Sequence, residues 1–202
     1  MRLYAGVLSL ALMAAVSGSS LAAKAPPKPG AKPTPAPVAW TVDKAASRLG
    51  FHAAMNDTAF DGVFRRWEAN IVFDPANLAA SHVTATVETG SAITGDPTRD
   101  EALPTADWFF VQKFPKATFI AKTFKALGPN RYEADGDLTI RGVTRPAALP
   151  FNLTITGKVA KIDGQLVIDR SQFGVGQGQW KAGDAVKLPV TVTVKLQAVR
   201  AR

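Results

Sequence analysis

The chain has 202 residues, 47% of them hydrophobic and 20% charged, which is typical of a globular domain and excludes a disordered or fibrous chain. It contains no cysteine, so thiol catalysis, cysteine-ligated zinc and iron–sulfur clusters are excluded. The net charge is +8, but six of the 24 basic residues lie in the two terminal segments. The rest of the chain has 18 basic and 16 acidic residues, so it lacks the cluster of basic side chains that nucleic-acid binding requires.

The N-terminus has the pattern of a secretory signal peptide. Arg2 is followed by an apolar run over residues 3–16, and the small residues Ser20 and Ala22 precede a predicted cleavage after residue 22. The run is shorter than the roughly 20 residues that span a bilayer, so we expect no permanent membrane anchor after cleavage. Residues 23–39 are rich in Pro, Ala and Lys and predict a linker, and the folded domain is expected over residues 40–202.

Six segments of the folded domain alternate apolar and polar residues with a period of two. A β-strand with one buried face produces this pattern, and an amphipathic helix does not. The apolar positions are Leu49, Phe51, Ala53 and Met55; Trp67, Ala69, Ile71 and Phe73; Val83, Ala85 and Val87; Tyr132, Ala134, Gly136, Leu138 and Ile140; Leu149, Phe151, Leu153 and Ile155; and Val186, Leu188, Val190, Val192, Val194 and Leu196.

Turn-forming residues separate the predicted strands. Gly, Asn or Asp at residues 128–130, 141–143, 162–164 and 182–184 predict tight reversals. Short antiparallel strands with short turns favour a meander that closes on itself, because closure removes exposed edges. The sequence therefore predicts an all-β fold, an antiparallel barrel of about eight strands.

One segment interrupts the β pattern. Asp96-Pro97 predicts a helix start and Pro104 its end, followed by a turn carrying Trp108, Phe109 and Phe110. Phe114-Pro115 then leads into a predicted strand over residues 117–124. We expect this helical excursion to cover one end of the barrel, with its rings plugging or lining the entrance.

The inward faces of several predicted strands carry small residues, including Ala53, Ala69, Ala85 and Ala134. Small inward residues leave room for a ligand in a barrel of this size. They also fit a tapering interior that is fully packed. The pattern alone leaves both alternatives open.

No catalytic or metal site is predicted. His52, on an outward position, and His82, at a strand start, are the only histidines, so a metal site would have to recruit carboxylates. Asp135 and Asp137 fall on an outer face, and no nucleophile motif is present. The glycines of residues 174–178 lack the lysine-serine pair of a phosphate loop and indicate a flexible loop at the barrel rim.

Several motifs resemble the YceI-like family in order along the chain. They are Trp40-Thr41-Val42-Asp43, residues 47–51, 60–64 and 71–75, Thr98-Arg99-Asp100 with Leu103, Asp107-Trp108-Phe109, and residues 114–119, 136–144 and 169–174. The resemblance implies an extended lipocalin-like barrel that is exported to the bacterial periplasm and holds a long apolar chain. The histidine that one version of the pattern carries shortly after the Phe51 position is absent here, so no head-group contact is carried over.

We therefore predict a non-enzymatic periplasmic carrier or sequestering protein for a polyisoprenoid or quinone-like lipid, with no cofactor beyond that non-covalent ligand. The alternatives are an accessory partner of a membrane redox or stress system with a filled barrel, and an isoprenoid-modifying enzyme using Asp57, Asp61 or Asp107. A homodimer is left open. The predicted ligand-binding residues are Phe51, Ala53, Met55, Phe60, Phe64, Ile71, Phe73, Val87, Trp108, Phe109, Phe119, Leu138, Ile140 and Phe151.

Overall fold

The computed structural model describes residues 38–201, so the predicted signal peptide and most of the predicted linker lie outside the described residues. These residues form ten strands: β1 Ala39–Met55, β2 Thr58–Phe64, β3 Trp67–Val72, β4 His82–Glu88, β5 Ala92–Ile93, β6 Lys116–Gly128, β7 Arg131–Ile140, β8 Val143–Thr156, β9 Val159–Asp169 and β10 Pro189–Arg200. One α-helix, α1 Pro97–Ala102, and four short 3-10 turns accompany them, at Leu78–Ala80, Thr89–Ser91, Arg170–Phe173 and Gly178–Trp180.

Eight of the strands close into an antiparallel barrel. The order around the wall is β1, β3, β4, β6, β7, β8, β9 and β10, and β10 pairs with β1 to complete the circle. The predicted all-β barrel of about eight strands is thus confirmed. None of the helices in the described part of the chain is long and apolar enough to cross a membrane.

Strand β1 runs through both ends of the barrel and pairs with a different strand at each end. Ala39 and Trp40 pair with β3, whereas Leu49 to Met55 pair with β2, which in turn carries β5. A bulge between Asp43 and Arg48 marks the change on the side that faces β10. At this end of the barrel, called the mouth below, the two short strands β2 and β5 extend the wall beside β1.

One predicted turn is wrong. Residues 162–164 lie within β9, a strand that the alternation did not predict, and Gly164 pairs with both Phe151 and Val194. A methyl group added at Gly164 would lie 3.1 Å from the Cβ of Phe151, so this glycine serves close strand approach rather than a reversal. The reversal occurs earlier, at Gly157, whose φ is +61°.

The predicted helical excursion is present and its boundaries follow the expected chemistry. The Asp96 carboxylate accepts the N–H of Arg99 at 3.0 Å, Pro97 opens α1, and the helix ends at Ala102, two residues before Pro104. Residues 94–114, called the cover below, lie over the mouth, where Trp108 and Phe109 pack with buried Ile140 and Phe173. The N–H of Phe109 donates to Leu103 O at 2.9 Å and folds the aromatic segment back on the helix.

The opposite end of the barrel is packed solid by aromatic rings. Phe73 contacts Phe124, Tyr132 and Phe151, with ring centroids 5.2 to 5.7 Å apart and edge-on geometry. The indole of Trp40 donates to Phe73 O at 2.9 Å, which satisfies its buried N–H. Such aromatic pairs contribute about 0.5–1.5 kcal/mol each beyond their buried area. This end therefore forms the rigid floor of the barrel.

Candidate ligand-binding cavity

A cavity of about 340 Å³ lies between the aromatic floor and the cover. Its walls come from nearly every strand of the barrel, and almost all of the lining atoms are apolar. Of the two alternatives that the small inward residues left open, the structure shows the hollow interior. The volume falls in the range of pockets that hold small organic ligands.

The register of three neighbouring strands creates this space. Ala69 on β3 lies opposite Ala85 on β4, and Ala85 lies opposite Phe119 on β6. Two methyl side chains side by side leave unfilled volume where larger residues would close the lumen. Ala53 on β1 also lines the cavity.

All fourteen side chains predicted to bind a ligand line this one cavity: Phe51, Ala53, Met55, Phe60, Phe64, Ile71, Phe73, Val87, Trp108, Phe109, Phe119, Leu138, Ile140 and Phe151. Eleven of them lie on strands, whose alternate residues face the lumen, while Phe73 directly follows β3 and Trp108 and Phe109 belong to the cover. Their contact with a ligand stays a prediction.

Two of the four aromatic rings of the cover, those of Trp108 and Phe109, line the cavity. Phe109 packs edge-on against Phe64 at 5.9 Å between ring centroids, and Trp108 lies 5.7 Å from Trp180. The expectation that Phe110 lines the mouth is wrong. Phe110 does not line the cavity: its backbone has a φ of +49°, and its ring packs against Phe114 with the centroids 6.0 Å apart.

Arg170, which was not predicted as functional, binds the backbone of residues 175–187 at the mouth, called the rim below. It lines the cavity, is only 3% exposed, and its guanidinium donates to five backbone carbonyls. The shortest of these bonds reach Trp180 O and Val186 O at 2.6 Å. Burial lowers the pKa of Arg170, opposed by the neighbouring Asp169.

The glycine-rich stretch wraps around this guanidinium, which explains its composition. Gly176 has a φ of +80°, and a methyl group added there would fall 2.0 Å from the Nη1 atom of Arg170. The Val175 and Gly176 carbonyls accept from that same nitrogen at 2.8 and 3.3 Å. The sequence signals for this arrangement are an arginine shortly before closely spaced glycines and its place in the family-like motif of residues 169–174.

Polar groups around the cavity are concentrated at the mouth. Thr94, Thr98 and Arg99 line it there, and the Arg99 guanidinium lies 4.5 Å from the centroid of the Phe60 ring. Asp100 closes the loop before α1 by accepting from the N–H and hydroxyl of Thr94 at 2.6 and 2.7 Å. Burial raises the pKa of Asp100, but hydrogen bonds from Thr94 and Gly95 outweigh it and leave the pKa below its ordinary value.

The acids considered for an enzymatic role do not line the cavity. Asp57 is exposed and pairs with Lys187 at 2.8 Å, while Asp61 is exposed and lies 3.0 Å from the Nδ1 atom of His52 on the outer surface. Asp107 uses its backbone carbonyl to accept from Gly176 and Gln177. Across residues 38–201, no group of three or more His, Cys, Asp or Glu side chains is arranged to hold a metal ion.

Comparison with protein families gives one match over nearly the whole described chain. The family model for the YceI-like domain matches residues 40–198. A UPF0312 protein of Pseudomonas syringae pv. tomato is 28% identical over 156 residues, which cover 74% of this chain and 78% of the relative. A UPF0312 protein of Ectopseudomonas mendocina is 28% identical over 167 residues, 76% of this chain and 87% of the relative.

Solved structures share the barrel. BcnA of Burkholderia cenocepacia superposes with a TM-score of 0.76 at 31% identity, over 78% of this chain and 99% of that protein. A polyisoprenoid binding domain from Saccharophagus degradans superposes with a TM-score of 0.63 over 81% of this chain and 99% of that domain. Its identity of 14% makes this second likeness one of fold alone.

Proposed function

Because the chain belongs to the YceI-like family, we propose that it binds a long apolar lipid, a polyisoprenoid or quinone-like molecule, in the barrel lumen. The observation that carries the proposal is the cavity of about 340 Å³ whose lining is almost wholly apolar. The solved neighbour described as a polyisoprenoid binding domain supports the ligand class through its shared fold. With the predicted signal peptide, the proposed role is carriage or sequestration of this lipid in the periplasm.

The energetics of such binding rest on fit rather than on specific polar contacts. Removing apolar surface from water contributes about 25 cal/mol per Å², which must exceed the costs of association and of ordering the chain. The rigid aromatic floor around Phe73 and the pinned cover reduce the ordering cost on the protein side, because the lumen is already formed. A ligand tail would therefore lie deep in the barrel, with its polar end near Thr94, Thr98 and Arg99.

The test measures uptake of a fluorescent polyisoprenoid by delipidated protein. Ala85→Trp fills the lumen between Ala69 and Phe119 and should weaken binding at least tenfold. Ala59→Trp places the same side chain at an exposed position of β2 and should bind like the wild type. The proposal fails if the wild type takes up no probe, or if both variants bind equally well.

Two further measurements address the ligand and the absence of chemistry. Native mass spectrometry of the protein purified from its own periplasm should show a bound mass that organic extraction removes. Incubation with the extracted lipid, followed by mass spectrometry, should return that lipid unchanged. A new product that forms only with active protein would instead favour the isoprenoid-modifying enzyme.

A further inference from the structure

The barrel wall is only half paired between β8 and β9. Their ladder joins Phe151–Thr156 of β8 to Val159–Gly164 of β9 and extends no further among the described residues. Residues 143–150 continue alongside β7, and residues 165–169 continue alongside β10. These two unpaired edges, called the slit below, face each other in the mouth half of the wall. At the top, Phe173 packs against Ile140 and Val143.

Two prolines interrupt the hydrogen-bonding edge of β8 that faces β9. The N–H of Leu153 donates to Asn130 O on the β7 side, at 2.8 Å. Because N–H groups alternate between the two edges of a strand, even-numbered residues of β8 direct theirs toward β9. Pro146 and Pro150 have this parity and carry no N–H, so they cannot donate across the seam. The ladder stops at the pair Phe151–Gly164, next to Pro150.

The slit leads directly into the cavity. Leu149 on one edge and Leu166 and Ile168 on the other all line the lumen. Arg145 has the same parity as Leu149 and pairs with the lumen-lining Leu138, yet its side chain is exposed. Solvent therefore reaches an inward position of β8 at this edge. On the outer side, the apolar Val167 is 65% exposed.

Opening the mouth would instead require breaking several hydrogen bonds of the cover. Asp107 O accepts from the N–H groups of Gly176 and Gln177 at 2.8 and 2.7 Å. Arg141 donates to Ala106 O at 2.8 Å and also to Trp108 O. Beyond the pair Phe151–Gly164, no strand pairing joins the two edges of the slit among the described residues. Separation of its edges therefore disrupts no ladder pairing.

We propose that the slit is the lateral portal through which an apolar chain enters and leaves the lumen, while the cover stays in place. This inference rests on the proposed function and specifies its route. The inner edge of the portal is apolar and is formed by Leu149, Leu166 and Ile168. On the β8 side, the small side chains of Ala147 and Ala148 leave the edge unobstructed.

The test closes the slit covalently, which the absence of native cysteine makes clean. Ala148→Cys with Val167→Cys places thiols on the two outer edges of the slit, at exposed positions. Asn152→Cys with Asp163→Cys is the control, because these exposed residues are already paired on the same two strands. Both pairs are bridged with a flexible bis-maleimide, and uptake and release of a fluorescent polyisoprenoid are followed by stopped flow.

Bridging the slit should slow both uptake and release at least tenfold while leaving the equilibrium affinity unchanged, and the control bridge should change neither rate. Unchanged rates with a bridged slit would overturn the portal and leave the proposed function intact. Expulsion of the probe when loaded protein is bridged would also overturn it, because the slit would then be part of the binding site. Absence of uptake by the unbridged wild type would overturn the proposed function and the portal together.

Discussion

Replacing Arg170 with methionine removes the group that holds the rim of the barrel together. The guanidinium is 3% exposed and donates to Val175, Gly176, Trp180, Val186 and Lys187 carbonyls at 2.6 to 3.3 Å. Methionine has similar length but no donor, so these carbonyls must find water or remain unpaired. We expect the variant to fold and to be less stable.

The magnitude follows from the number and burial of the acceptors. A hydrogen bond from a charged donor contributes about 1.5–3 kcal/mol. The loss of five such bonds is smaller than their sum, because some of the freed carbonyls can move and bond to water. Each buried carbonyl left without a donor costs about 1–3 kcal/mol, so with part of the five relaxing toward water we expect Arg170→Met to lose about 3–5 kcal/mol in total. Arg170→Lys keeps the charge but lacks the planar fork, so its loss should be intermediate.

Urea unfolding followed by tryptophan fluorescence measures the effect, because the guanidinium lies 5.4 Å from the Trp108 ring, which packs against Trp180. Arg141→Met is the matched control: its half-buried guanidinium donates to only Ala106 and Trp108 carbonyls, for an expected loss of about 1–2 kcal/mol. A loss below about 1 kcal/mol for Arg170→Met, or an equal loss for both variants, would refute the reasoning.

Two further outcomes are expected. A methyl group at Gly62 would lie 2.1 Å from Cζ of Phe51, so Gly62→Ala should displace that ring and lower the free energy of unfolding in urea by about 1–3 kcal/mol. The control Ala59→Val, at an exposed position of the same strand, should change it little, and equal stabilities of the two variants would contradict the clash. Because the pKa of Asp100 is lowered in the folded state, its carboxylate stabilises the fold above its ordinary pKa of 3.8, and this stabilisation is lost as the pH falls through the folded-state pKa. Asp100→Asn should therefore weaken the fall in stability at acid pH, and an unchanged acid side of the stability–pH curve would exclude this role.

Seven of the ten strands and the lumen-facing residues were predictable from local patterns, because a strand with one buried face must alternate, whereas β2, β5 and β9 were not predicted. Phe51, Ala53 and Met55 could be assigned to the lumen from period alone, and Asp96-Pro97 marked the helix start. Predictions failed where a residue served a long-range contact. Gly164 has the composition of a turn, but it lies within β9 because Phe151 on β8 needs the space.

The rim shows the same limit more clearly. The five carbonyls that converge on Arg170 belong to residues 175–187, up to 17 positions along the chain, and the alternation of apolar and polar residues does not predict that convergence. Phe110, unlike its neighbours Trp108 and Phe109, does not line the cavity, and the left-handed backbone found there is not predicted by the run of aromatic residues.

The sequence by itself determined the class of fold and the apolar character of the interior, since both follow from the alternation of neighbouring residues. Tertiary structure alone decided that the interior is hollow, because that depends on Ala69 meeting Ala85 across two strands. It also decided that the pairing of β8 with β9 ends beside Pro150, because the absent N–H of a proline matters only where a neighbouring strand lies on that side.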